Sequence, residues 1–424
     1  MKGTGSDSCR RRALENCHWL LRGARVAVRP NHAEPLDLVL RDGRISGLPN
    51  PGPRPADHPG VVIPLDGCLL LPGLINAHDH LEFSLFPRLG EGPFPNARQW
   101  AQKIYQPTES PIREHLQIPK HERLIWGGLK NLLSGVTTVC HHNPYEPEIF
   151  ENRFPVRVVR RFGWAHSPDF SNDIPARFAA TPPEQPFILH LGEATDQAGR
   201  QQVFELDAMG ALGARTVLVH GVALDQQGLE LVEQRGTSLI WCPSSNLFTL
   251  GATLDGTVFG RNIRVALATD SGLTGEGDLL DELRVAQRLG RADRERLYEM
   301  VTTEAAAALR LEQGEGRLAE GGVADLIAIA DLGCSPCEAL TGTDLTGTAP
   351  PELRLVMVGG EVKLVAEDFA GRLDSRLTSR LHRIKTAGRR ACLVDADVAA
   401  LIASARRALG AEHPIRLAGK TVEE

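Results

Sequence analysis

The stretch LPGLINAHDH, residues 71–80, decides the fold of this 424-residue chain. Its apolar run, Leu71–Asn76, predicts a buried β-strand that leads directly into His78, Asp79 and His80. Side chains alternate along an extended strand, so His78 and His80 point to one side and Asp79 to the other. Two imidazoles on one side of a strand end suit a metal ion, and the rest of the chain must supply the other ligands.

The central part of the chain alternates apolar runs of strand length with helical patterns. The further runs are Val136–Cys140, Val156–Arg160, Phe187–Leu189, Thr216–Val219, Ser238–Trp241 and Val265–Ala268. Helical patterns such as Glu122–Leu133, which stops before Gly135, separate several of them. This alternation is typical of a parallel α/β sheet. These seven runs are one short of the eight strands of a closed barrel, and we expect the eighth strand between Phe162 and Pro186. We therefore predict a (β/α)8, TIM-like barrel over residues 73–320.

Both flanks of the barrel are richer in β-strand patterns. Short apolar runs occur at Ala24–Val28, Leu36–Leu40, Val61–Leu65, Ala324–Ala330 and Leu353–Val365. Gly359-Gly360 predicts a hairpin turn within the last of them. We predict that residues 18–72 and 321–366 together build one small β-sandwich. Residues 367–424 contain one clear helical pattern, Val398–Leu409, and are predicted to form a C-terminal helical extension.

The composition excludes several classes of protein. The net charge of -6 argues against a nucleic acid or an anionic membrane as the main partner. We find no apolar run of about 18 residues and no secretory leader, so we expect a cytoplasmic protein. The eight cysteines are scattered and do not resemble a disulfide framework. Cys334 and Cys337 form a lone CxxC, which we interpret as two loop thiols.

Residues able to bind a metal or move a proton end several of the predicted strands. His190 ends the strand at Phe187, and Glu193 lies three residues further on; His220 and Asp270 end two later strands. In a parallel barrel all strand C-termini open on the same face, so these side chains converge. His78, His80, His190 and Asp270 are expected to bind one divalent ion, zinc or else iron. Such an ion lowers the pKa of a bound water toward about 7 and makes it a nucleophile.

At these residues the chain resembles the amidohydrolase superfamily, in particular its cytosine deaminase-like and chlorohydrolase-like branch. The motifs are LPGLINAHDH (71–80), HLGE (190–193), VHG (219–221), CPSSN (242–246) and ATDSG (268–272), and the resemblance extends from Leu21 to Val365. Another branch holds two metals bridged by a carboxylated lysine from a middle strand. This chain has no lysine between Lys130 and Lys363, which favours a single ion.

The resemblance implies a role for each residue of the catalytic set. His78, His80, His190 and Asp270 would bind the metal, and Asp270 would also take a proton from the attacking water. Glu193 would deliver a proton to a ring nitrogen or to the leaving group. His220 would hydrogen-bond the attacking water. A base beside the water and an acid beside the leaving group are what general acid–base catalysis requires.

Candidates for substrate contacts are less sharply defined. The long segment after the first strand contributes Trp100, which suits a flat substrate, and Arg88, which could meet an anionic group. The other candidates, which follow later strands, are His141, His142, Ser245 and Asn246. His142 could equally be a structural partner.

Three functions remain open at this point. The first is hydrolytic deamination of an amino-substituted heterocycle, because such a carbon gains from protonation of its ring nitrogen as water adds. The second is hydrolysis of another carbon–nitrogen bond, such as a cyclic or peptide-like amide. The third is an inactive barrel that acts as a binding protein. For either hydrolase function the partner is a small-molecule substrate. The resemblance to the amidohydrolase superfamily also suggests a homodimer.

Overall fold

The computed structural model describes residues 19–51, 60–342 and 350–423. The outer boundaries predicted at 18 and 424 lie outside these ranges. The strands, numbered in chain order, are β1 (Trp19–Arg22), β2 (Arg25–Arg29), β3 (His32–Pro35), β4 (Leu38–Arg41), β5 (Arg44–Gly47), β6 (Val61–Pro64), β7 (Cys68–Pro72), β8 (Leu74–Asp79), β9 (Val136–His141), β10 (Arg157–Val158), β11 (Gly163–Trp164), β12 (Phe187–Leu191), β13 (Thr216–His220), β14 (Ser238–Trp241), β15 (Val265–Leu267), β16 (Leu326–Ala330), β17 (Leu353–Val358), β18 (Glu361–Ala366), β19 (His382–Thr386), β20 (Cys392–Val394), β21 (Arg416–Leu417) and β22 (Lys420–Glu423).

The α-helices lie mainly between the strands of the central region. They are α1 (Ala97–Ile104), α2 (Ile112–Leu116), α3 (Lys120–Leu132), α4 (Pro147–Phe150), α5 (Ile174–Ala180), α6 (Gln197–Ala208), α7 (Gln226–Gln234), α8 (Pro243–Leu250), α9 (Leu279–Leu289), α10 (Arg294–Met300), α11 (Thr303–Ala308), α12 (Pro336–Thr341), α13 (Ser375–Thr378) and α14 (Val398–Leu409). In the part of the chain that is described, none of them has the length and apolar character needed to cross a bilayer.

The central strands form a TIM-barrel-like ring of parallel pairings. β8, β9 and β10 pair in one set, and β11 to β15 pair in chain order in a second set. A parallel bridge between Asp79 and Asp270 joins the two sets, and the Asp270 amide donates to the His78 carbonyl at 3.2 Å. Apolar side chains such as Ile188 and Val219 fill the interior, so the carboxyl ends of the strands are held at one face.

The ring differs from the predicted closed eight-stranded barrel at one point. β11 lies in the interval where we expected the missing strand, but only Val159–Phe162 separates it from β10. A crossover between neighbouring parallel strands needs a dozen or more residues. β10 and β11 therefore act as successive parts of one extended segment, the first paired with β9 and the second with β12. Among the described residues no pairing joins β10 to β11.

The flanking strands build two sheets that enclose a second apolar core. One sheet has the order β5-β4-β1-β6, and the other has the order β21-β22-β19-β20-β18-β17-β16-β7-β2-β3. Strands from both flanks meet where β7 pairs with β16. The β17–β18 hairpin turns at Gly359 and Gly360, whose positive φ angles of 58° and 78° suit glycine. Buried side chains such as Leu21, Leu70 and Leu355 lie in the core.

The C-terminal segment differs from the helical extension that we predicted. Its helix, α14, has the predicted bounds Val398–Leu409, but β19 to β22 add four strands to the edge of the larger sheet. These strands are short, and β19 exposes His382 and Arg383 before its buried Ile384. Alternation over so few residues gives too weak a pattern to predict a strand from sequence.

Candidate active site

Four candidate metal ligands converge at the carboxyl ends of the strands. His78 is the penultimate residue of β8, His80 follows that strand, His190 lies in β12, and Asp270 follows β15. The Asp270 Oδ1 lies 3.4 Å from the His78 Nε2 and 3.7 Å from the His80 Nε2. The Nε2 atoms of His78 and His190 are 3.2 Å apart. One ligand atom from each of the four residues lies within 4.8 Å of every other, which is the spacing of a metal site.

The chemistry of these donors fits a divalent cation. The His190 Nδ1 donates to the His166 carbonyl at 2.7 Å, so the Nε2 of the neutral ring carries a lone pair that faces the cluster. Burial holds the pKa values of His80 and His190 well below the usual histidine range, so these rings are neutral. Neutral imidazole nitrogens and a carboxylate that point at one another over such distances form a good ligand set for a divalent metal ion.

Asp270 is held in place through its second carboxylate oxygen. Its Oδ2 accepts from the Ser245 hydroxyl at 2.5 Å and from the Thr274 hydroxyl at 3.3 Å, which leaves Oδ1 facing the imidazoles. The backbone of Asp270 has a φ of 59° and that of His220 a φ of 77°. Left-handed conformations are uncommon for residues other than glycine, and they concentrate at functional sites.

A second group adjoins the four ligands and shares Asp270 with them. Glu193, His220 and Asp270 each present one atom within 4.8 Å of the others. The Glu193 Oε2 lies 3.5 Å from the His220 Nε2, and the His220 Nδ1 donates to the Asn246 Oδ1 at 2.8 Å. Burial raises the pKa of Glu193 to about 7. The site thus places a carboxyl that can hold a proton at neutral pH beside a ring nitrogen that can accept one.

Four of the predicted substrate contacts are buried and make contacts within the protein. Ser245 and Asn246 are fully buried, and their side chains bond Asp270 and His220. His142 is also buried, and its Nε2 donates to a backbone carbonyl at 3.1 Å while its ring packs 4.4 Å from that of His190. His141 accepts a backbone N–H through Nδ1 at 3.3 Å. Ser245, Asn246 and His142 therefore contact residues of the site, whereas His141 contacts the Leu81 backbone; substrate contact by these four residues stays a prediction.

The two remaining candidates lie further along the same face. The Trp100 indole donates to the Leu89 carbonyl at 2.8 Å and packs in a small cluster with Phe86. The Arg88 guanidinium lies 4.9 Å from the centre of the Phe248 ring, and both residues line a groove next to Ser244. Substrate contact by these residues stays a prediction.

Sequence reasoning missed one residue beside the metal ligands. The exposed His166 has its ring 4.9 Å from that of His190 and 4.8 Å from the exposed Phe170. His166 follows β11, the strand that could not be located from the sequence, so the sequence did not indicate that His166 lies at a strand end.

Known proteins similar to this chain point to one family. A model of the amidohydrolase family matches residues 189–363. A 5-methylthioadenosine/S-adenosylhomocysteine deaminase of Syntrophobacter fumaroxidans is 26% identical over 70% of this chain and 80% of its own length. A deaminase of the same name from Pyrococcus furiosus is 24% identical over 82% of this chain and 95% of its own.

Solved structures agree in fold. A zinc-bound adenosine deaminase from Xanthomonas campestris covers 93% of this chain and 98% of its own, with 20% identity and a TM-score of 0.67. An atrazine chlorohydrolase from Arthrobacter aurescens, complexed with zinc, covers 92% of this chain and 100% of its own, with 16% identity and a TM-score of 0.64. These solved structures agree with this chain in fold alone. The match of residues 189–363 to the amidohydrolase family model, the deaminase relatives and the cluster of three histidines and an aspartate together support a hydrolase of carbon–nitrogen bonds other than ordinary peptide bonds.

Proposed function

We propose that this protein hydrolytically deaminates the adenine ring of a nucleoside, with 5-methylthioadenosine and S-adenosylhomocysteine as the first substrates to test. The observation that carries the proposal is the convergence of Glu193, His220 and Asp270 beside the three histidines. An aromatic amine is a poor leaving group unless its ring is protonated, and this arrangement sets a proton donor next to the nucleophile. The names of the relatives supply the adenine nucleoside.

The proposed metal ligands are His78, His80, His190 and Asp270. A divalent ion held there supplies the Lewis acidity that makes water nucleophilic at neutral pH. Asp270 is proposed to accept the proton of the attacking water, since its Oδ1 faces the cluster while Ser245 occupies its Oδ2. The water oxygen then forms a bond to the ring carbon that carries the amino group.

Glu193 and His220 are proposed to handle the remaining protons. Glu193 gives its proton to the ring nitrogen as the carbon–oxygen bond forms, and its pKa of about 7 keeps it protonated in part at neutral pH. The His220 Nε2 accepts a hydrogen bond from the attacking water, because its Nδ1 hydrogen is directed to Asn246. Asp270 then passes the proton that it took from the water to the amino group, which leaves as ammonia as the carbon–nitrogen bond breaks. The proton of the new hydroxyl returns to the Glu193 carboxylate, and a carbonyl remains on the ring.

Ammonia release from a panel of purines, pyrimidines and pterins tests this function. The zinc-loaded protein is expected to release ammonia from adenine nucleosides, with loss of adenine absorbance and formation of the hypoxanthine product. Glu193→Gln serves as the control, since it keeps the size of the side chain and removes the acid. Cleavage of another carbon–nitrogen bond without ammonia release would contradict the proposal and favour an amide substrate.

Several finer expectations from the sequence belong to the same proposal. Zinc is proposed as the ion, bound singly, and the zinc-bound relatives in structure support it. The β10–β11 segment is proposed to complete a closed barrel by spanning β9 and β12. The homodimer and the cytoplasmic location stay predictions.

A further inference from the structure

A buried ion pair lies directly behind the candidate metal ligands. Asp79 separates His78 from His80 and points away from them, into the space between β8 and α3. The Lys130 Nζ donates to the Asp79 carboxylate at 2.9 Å, and neither side chain is more than 1% exposed. A lysine is rarely buried so completely unless it is paired.

The ion pair belongs to a larger hydrogen-bond network. The Asp79 Oδ2 also accepts from the side-chain amides of Asn131 at 2.8 Å and Asn76 at 3.1 Å. The Asn76 amide donates to the Thr269 hydroxyl at 2.8 Å, and the Asn76 Oδ1 accepts the Thr269 backbone N–H at 3.2 Å. Lys130 also reaches the Thr269 hydroxyl at 3.4 Å. The network therefore connects β8 and α3 to the chain just after β15.

The members of this network are neighbours of the ligands in the chain. Asp79 lies between His78 and His80, and Thr269 immediately precedes Asp270. β8 also contacts the chain after β15 through its backbone: the Asp270 N–H donates to the His78 carbonyl, and Asp79 and Asp270 form a parallel bridge. A shift of β8 against this part of the chain would therefore move two imidazoles relative to the carboxylate.

We propose that Lys130 and Asp79 are positioning residues that fix the separation of His78 and His80 from Asp270. The proposal rests on the proposed function, because it assumes that these residues bind the metal. A buried ion pair adds little stability compared with apolar side chains of the same volume, and the best-attested use of such pairs is to specify one register. Groups that orient metal ligands in this way commonly change metal affinity by about 10- to 100-fold when they are removed.

Metal affinity and fold stability, measured on the same variants, test the proposal. Zinc affinity is measured by competition with a chromophoric chelator, and stability by thermal unfolding of the metal-free protein. Lys130→Met and Asp79→Asn are each expected to weaken zinc binding by about 10- to 100-fold. Because the two residues act as a pair, the double variant is expected to lose less than the sum of the single losses.

A matched control lies elsewhere in the chain. Lys363 and Asp395 form another buried pair at 2.8 Å, between β18 and the segment after β20. Lys363→Met removes the lysine of a buried pair, as Lys130→Met does, and is expected to lower stability, although Arg153 still contacts the Asp395 carboxylate at 2.8 Å. The control is expected to bind zinc as tightly as the wild type.

The outcomes separate the two proposals. Wild-type zinc affinity in Lys130→Met and Asp79→Asn, with stability lowered as in Lys363→Met, overturns the positioning role alone. A wild-type protein that binds no zinc overturns the proposed function and this inference together. If the single variants do not fold, the double variant Lys130→Met/Asp79→Asn decides, since it removes both charges and leaves neither buried without a partner: weaker zinc binding supports the proposal, and unchanged binding overturns it.

Discussion

Replacement of Asn246 by leucine removes the acceptor that holds the His220 ring in the tautomer that the proposed mechanism needs. In the structure the Asn246 Oδ1 accepts from the His220 Nδ1 at 2.8 Å, and the Asn246 amide donates to the Thr253 hydroxyl at 3.2 Å. Asn246 is fully buried and His220 is 1% exposed, so water does not replace the lost acceptor. Without it, the His220 proton has no partner at Nδ1 and moves to Nε2, the atom that faces Glu193.

The size of the effect follows from that lost acceptor. A buried donor left without a partner costs about 1–3 kcal/mol. If the whole cost appears as a loss of the reactive tautomer, it corresponds to about a 5- to 150-fold decrease in kcat. The metal ligands are untouched, so zinc content is expected to stay at the wild-type level.

Steady-state kinetics with the best substrate of the panel measure this decrease. Asn246→Asp is the matched control, because its carboxylate also accepts the Nδ1 hydrogen and preserves the tautomer. We expect Asn246→Asp to retain more activity than Asn246→Leu while both bind zinc. Equal kcat values for Asn246→Leu and the wild type would refute the idea that Asn246 sets the tautomer of His220.

Four further outcomes are expected from the same structure. His78→Ala and Asp270→Ala should each abolish turnover and lower the zinc content measured by elemental analysis; full zinc content in either would remove that residue from the ligand set. Glu193→Gln should keep zinc and lose most of its rate, and wild-type turnover would exclude a proton-transfer role. Chelation should remove activity and lower the unfolding temperature, and added zinc should restore both, because an ion that binds only the folded state stabilises it. Burial raises the pKa of Glu282 from 4.5 to about 8, so between these pH values the folded state holds a proton that the unfolded state has lost, and the free energy of unfolding falls as pH rises. Urea unfolding of Glu282→Gln should lack this fall. The same pH dependence of stability in Glu282→Gln and the wild type would contradict the assignment to Glu282.

The residues at strand ends could be predicted from sequence because each follows a strong apolar run. His78, His190, His220 and Asp270 come within two residues of the ends of such runs, and parallel strands place their ends together whatever fills the intervening loops. The helix α14 was equally readable, since its apolar spacing and its N-cap at Asp397 agree.

The features that sequence did not predict depend on contacts between distant parts of the chain. β11 is only two residues long and is defined by its pairing with β12, so no local pattern marks it. The supporting roles of Ser245 and Asn246 follow from which side of the turn after β14 faces Asp270 and His220. The burial of Lys130 follows from its pairing with Asp79, which lies in another element. Patterns within one segment carry no information on such pairings.

The meeting of β7 and β16 has a consequence for synthesis on the ribosome. Cys68–Pro72 pairs with Leu326–Ala330, so β7 lacks its antiparallel neighbour until the last quarter of the nascent chain has emerged. Since β8 begins two residues after β7 ends, the unfinished polypeptide carries its first two histidine ligands next to an uncovered strand edge. Open edges of this kind recruit other chains. Premature termination before residue 326 is therefore expected to yield aggregates rather than a smaller working enzyme.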